Sequence, residues 1–174
     1  MKKGKKILLL IVLGLTWFGL TAQTYKFGHL DVNQIFMAMP EFNNIQKILD
    51  EETSRLEMQF TIMREELQKL ENEYTKNVAT YTPQQIQAKE AEYMEMAEKV
   101  QNFFTNAQQT IQQRQYDLQM PVLQKLLKAV EAVGDEEGFL YIFQINSERD
   151  VVVYRSSKSV DIAPMVKKKL NINL

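Results

Sequence analysis

From Glu41 to about Val78 the apolar residues recur in steps of mostly three and four: Phe42, Ile45, Leu49, Leu56, Phe60, Met63, Leu67, Leu70, Tyr74 and Val78. This is the heptad spacing of a helix that buries one stripe along its length. Thr80-Tyr81-Thr82-Pro83-Gln84-Gln85 interrupts it, with Thr82 suited to an N-cap, Pro83 to the first helical position and Gln85 to a capping box. A second helix therefore starts there, with a stripe of Ile86, Glu90, Tyr93, Ala97, Val100, Phe104, Ala107, Ile111, Arg114 and Leu118. If the two helices fold back about Thr82-Pro83, facing residues must have numbers that add to a nearly constant total. Phe42 with Val122, Leu56 with Ala107, Phe60 with Phe103 or Phe104, Met63 with Val100, and Leu70 with Tyr93 all do so. The pattern predicts an antiparallel helical hairpin over 41–120, its tip near 80–83, with a first helix of roughly 55 Å. Its seam would run through Phe60, Met63, Leu67, Leu70, Tyr93, Val100 and Phe104.

The flanks read differently. Tyr25 to Val32 alternates, and Phe139 to Ile145 and Val151 to Tyr154 are dense in aromatic and β-branched residues, so three short strands are expected. A polar loop of hairpin length, Asn146 to Asp150, separates the last two. Gly134 and Gly138 should stop the second helix, Pro121 should kink it, and Asp161 can cap a terminal helix that ends near Lys167, Lys168 and Lys169. Residues 23–40 and 121–174 thus form a small β/α body. Three short strands and one helix are too little to bury Phe27, Leu30, Phe139, Tyr141, Phe143 and Val152 in one chain, which predicts association through the body.

Residues 1–22 have the form of a cleavable secretory signal: Lys2, Lys3, Lys5 and Lys6, an apolar run from Ile7 to Leu20, and Thr21-Ala22-Gln23. That run is too short for a transmembrane helix, which needs roughly twenty apolar residues. The chain has no cysteine, which excludes an acylated lipoprotein signal, a disulfide framework and a thiolate metal site. Of 21 Lys and Arg, four precede the expected cleavage point, whereas all 22 Asp and Glu follow it. The mature chain is net acidic, which argues against nucleic acid as a partner.

Catalytic chemistry finds little to work with. With a single imidazole, His29, and no thiol, no Ser/His/Asp or Cys/His arrangement is expected, and no His or Cys pair has metal spacing. Glu65-Glu66, Glu90, Glu92 and Asp135-Glu136-Glu137 read as solvated helical faces. No enzyme, cofactor or metal is expected.

An N-terminal signal, a strand reading KFGHLDVNQIFMAMPE, a long charged hairpin and a closing EEGFLYIFQI…VVVYRSSKSVDIAPMVKKKL together resemble the Skp/OmpH family of periplasmic chaperones. The Asp31 to Glu41 segment and Val160-Asp161-Ile162 carry the resemblance, through their order along the chain. It implies a periplasmic homotrimer whose small β body holds three tentacle-like hairpins around a cavity, enclosing unfolded outer-membrane or envelope proteins without ATP. A basic tentacle, as in the family type, would bind lipopolysaccharide; this acidic chain departs from it, which argues against that ligand. The alternative is a structural or tethering coiled-coil protein that docks one folded envelope partner. Met58, Ile62, Met96 and Phe103 exceed what the seam needs. They either thicken the hairpin's own core or line the client cavity, where flexible thioethers and aromatics contact many sequences weakly.

Overall fold

The computed structural model describes residues 25–146 and 152–172. The expected signal peptide lies outside the described residues, as do residues 147–150 of the expected loop and Val151 of the expected last strand. Strand β1 (Lys26–Leu30) leads at once into helix α1 (Val32–Ala38), because the Asp31 carboxylate accepts the Gln34 N–H at 2.9 Å and caps it. Helix α1 is absent from the sequence reading, which ran the strand straight into the hairpin. Its signal is there: Asp31 precedes Val32, Ile35 and Met39 at helical spacing, all three buried.

Met39 is extended, Pro40 opens helix α2 (Pro40–Asn77), and a short helical turn, Val78–Thr80, leads to the tip. Helix α3 (Pro83–Glu137) starts on a reciprocal capping box, in which the Thr82 N–H donates to Gln85 Oε1 at 2.9 Å and the Gln85 N–H donates to Thr82 Oγ1. It runs unbroken through Pro121 and ends at Gly138, whose φ of +69° is left-handed and favours glycine. Gly134 does not stop the helix as expected. It lies inside α3, where a Cβ would meet Ile142 Cδ1 at 3.2 Å.

The two long helices pack as an antiparallel hairpin. From base to tip, Glu41 pairs with Lys125, Glu52 with Arg114 at 3.4 Å, the Phe60 ring with that of Phe104, and Glu73 with Lys89 at 3.3 Å. Close to the tip the Tyr74 hydroxyl donates to Glu90 Oε1 at 2.9 Å. Ile45 and Leu49 are fully buried near the base. Beyond them Leu56, Phe60, Met63, Leu67, Leu70 and Val100 are half-buried, because two helices can cover each other on one side only.

Strands β2 (Phe139–Gln144) and β3 (Val160–Asp161) flank β1 in the order β2-β1-β3, both parallel to it. The hairpin is the crossover that a parallel pair requires, since it returns the chain to the end of the body it left. This corrects the expected third strand. Residues 152–154 form no strand and Val153 is wholly exposed; the free edge of β1 is taken by Val160 and Asp161 instead. β-branched residues favour a strand only where a neighbour pairs with them.

Helix α4 (Ala163–Lys169) closes the body, with the Asp161 carboxylate accepting the Ala163 N–H at 2.9 Å and Lys167, Lys168 and Lys169 in its last turn. One core joins the pieces: Leu30, Ile35, Met39, Leu126, Ile162 and Val166 are each almost completely enclosed. Leu30 therefore needs no partner chain, contrary to expectation, and Phe139 is half-buried against the same core.

Candidate functional site

Two surfaces combine exposed apolar side chains with defined geometry. The first lies on the hairpin. Met58 and Ile62, one turn apart on α2, are 66% and 50% exposed, and Met94 on α3 is 70% exposed. Met96 and Phe103, read from the sequence as partners of Met58 and Ile62, are instead half-buried. Helical geometry explains the exchange: Met96 stands one turn from the seam residue Val100 and turns inward with it, while Met94 faces away. Tyr93 and Phe104, assigned to the seam, keep 37% and 43% of their surface exposed.

Between the helices, midway along the hairpin, Leu56, Phe60, Phe103, Phe104, Ala107 and Ile111 line a groove of about 440 Å³, bordered by Thr53, Glu57, Gln108 and Gln112. The Phe60 and Phe104 rings meet on its floor at 5.4 Å between centroids. Arg64 lies over the Phe60 ring, 5.9 Å from its centre.

The second surface is the sheet face turned away from the core. Parallel register brings Phe27, Tyr141 and Phe143 onto it, their rings stacked with centroids 6.0 to 6.4 Å apart, yet each ring remains substantially exposed. An apolar groove of about 1000 Å³ continues from this stack past Tyr25, Ile145, Val152, Val153 and Tyr154. Sequence reasoning placed Phe27, Tyr141, Phe143 and Val152 in the body but missed Tyr25 and Tyr154, although Tyr25 continues the alternation of Phe27 and His29.

His29 sits beneath this face, buried, with Nδ1 2.8 Å from the Ser159 hydroxyl. Its backbone carbonyl accepts the Ile162 N–H. Burial and then the Arg155 guanidinium hold its imidazole below the ordinary value, with Asp161 opposing them. The Ser159 hydroxyl is within its reach, but among the described residues no carboxylate hydrogen-bonds the ring to complete a catalytic triad. Among the described residues no group of His, Cys, Asp and Glu is placed to hold a metal ion, and no helix is long and apolar enough to cross a membrane. What these surfaces can do is bind: broad apolar contact, adaptable side chains and no directional lock.

Residues 26–170 match the profile of the family described as Outer membrane protein (OmpH-like). No curated protein matches the chain.

Proposed function

The chain belongs to the OmpH-like (Skp) family, a family of non-enzymatic chaperones, and from that membership we propose that it holds unfolded outer-membrane or envelope proteins in the periplasm, without ATP, and so prevents their aggregation. In this reading residues 1–22 are a cleaved export signal, 23–40 and 121–174 the associating body, and 41–120 the tentacle. The observation that supports holding best is the pair of exposed Met58 and Ile62 on a helix whose seam does not use them, together with the exposed Met94 nearer the tip on the other helix. A strip of large apolar side chains left uncovered on a folded chain is a surface that a transient partner can cover. Weak contacts of this kind, repeated on several hairpins, retain a client by multivalency and release it without nucleotide.

The reading includes a homotrimer. Phe27, Tyr141 and Phe143 form an aromatic face that the protomer leaves open, and copies of the same face could cover one another around a threefold axis. The acidic hairpin does not suit lipopolysaccharide or nucleic acid.

The test is aggregation suppression. Purified mature protein, at amounts stoichiometric with its trimer, should keep several unrelated denatured outer-membrane proteins from scattering light. Replacing Met58, Ile62 and Met94 together by Ser should weaken client binding about tenfold, roughly 1.4 kcal/mol, with melting and mass unchanged. Binding of a single folded partner, with no effect on denatured clients, would favour the tether instead.

A further inference from the structure

The groove midway along the hairpin has an apolar floor and a single charged side chain, Glu57, on its border. Glu57 is exposed and takes part in no ion pair among the described residues; its backbone carbonyl accepts the Thr61 hydroxyl, but its carboxylate is free. Across the groove, Gln108 and Gln112 offer both amide donors and acceptors. Glu57 also belongs to a net acidic hairpin. Between 41 and 120 fourteen Asp and Glu face eight Lys and Arg, and several of those cations are already engaged, as Lys89 is by Glu73 and Glu92.

Charge and shape together select an occupant. A purely apolar segment entering the groove would strip water from Glu57 without replacing it, and an acidic one would add repulsion. A segment that seats an aromatic or large aliphatic side chain on Phe60 and Phe104, and sets a neighbouring Lys or Arg against Glu57, satisfies both. We infer that this groove takes unfolded segments in which a bulky apolar residue adjoins a cationic one, so that the hairpin prefers basic stretches of its clients. This rests on the holding reading and names the kind of segment held. Because the carboxylates are exposed, the preference is strongest at low ionic strength, where the hairpin's field reaches past the groove.

Three labelled, unstructured peptides of equal length test this: one of Phe, Ser and Lys, one with Gln in place of Lys, and one with Glu. Fluorescence anisotropy with the full mature protein should rank them Lys, Gln, Glu, with the differences shrinking as salt rises. Glu57→Gln should weaken the Lys peptide roughly two- to fivefold and leave the Gln peptide unchanged. Equal binding of all three peptides overturns the inference, as does a Lys preference that survives Glu57→Gln intact. A change of solution mass in Glu57→Gln would mean that a second hairpin fills the groove, and also overturns it. If denatured clients are still protected while the peptides bind alike, the charge preference alone fails. If neither peptides nor clients bind, the holding reading fails beneath it.

Discussion

Phe60 and Phe104 face each other across the hairpin, their ring centroids 5.4 Å apart and their planes tilted by 38°. The contact joins residues of two helices that elsewhere meet mostly through half-buried side chains and exposed ion pairs. Phe60→Ala should therefore loosen the hairpin locally by about 1 to 3 kcal/mol, below the cost at a sealed core site because Phe104 remains partly exposed. Hydrogen exchange checks it: amides between Met63 and Val100 should exchange faster, and those of β1 should not change.

The tip offers an independent test. The Thr82 hydroxyl and the Gln85 amide cap α3 reciprocally, so Thr82→Ala should cost about 1 kcal/mol and raise exchange at Gln85 and Ile86. Protection at the base, around Ile45 and Leu126, should stay as it is.

The hairpin was legible in the sequence because its signals are local and redundant: a heptad stripe on each side and a Thr-Pro-x-Gln capping signature between them. The body was less so. The strand expected at Val151 to Tyr154 follows β-propensity, but a strand exists only through its neighbour, and the neighbour of β1 on that edge turned out to be Val160 and Asp161. Helix α1 was hidden because a seven-residue helix offers fewer than two full turns of helical period. Among the surface residues, Met58 and Ile62 could be read from their polar opposite numbers, whereas choosing between Met94 and Met96 depends on the rotation of α3 about its axis, which the heptad count leaves loose.

Gly28 on β1 is a packing requirement. A Cβ there would lie 3.0 Å from Ile162 Cγ2 and 3.2 Å from both Ile142 and Phe139. Gly28→Ala should destabilise the body by about 1 to 3 kcal/mol through overpacking, seen as a lower melting temperature, while the helical signal of the folded hairpin persists at low temperature.

His29 gives the body a pH response whose sign follows from its surroundings. Burial and Arg155 hold the folded imidazole below the ordinary value of 6.5, against Asp161. The unfolded chain thus takes up its proton first as pH falls. The contribution to stability is whole above the ordinary value and is lost as pH drops from there through the folded value. Melting followed across that interval should show a decline in the wild type that His29→Gln flattens; parallel profiles would show that His29 titrates without consequence.

The central strand of the sheet comes from the beginning of the described chain and both its neighbours from the end, so that His29 bonds a serine 130 residues further on. The hairpin, by contrast, makes its tip contacts between residues as little as 16 apart. A chain that is made N-terminus first can therefore zip its two long helices together from the tip downward while β1 still has nothing to pair with. The sheet is completed last, when Phe139 to Gln144 and then Val160 and Asp161 arrive, since contacts between distant residues must await closure of the whole intervening loop. In the proposed assembly the aromatic face of Phe27, Tyr141 and Phe143 is complete only once Tyr141 and Phe143 have joined the sheet, so only a nearly finished chain can associate through it.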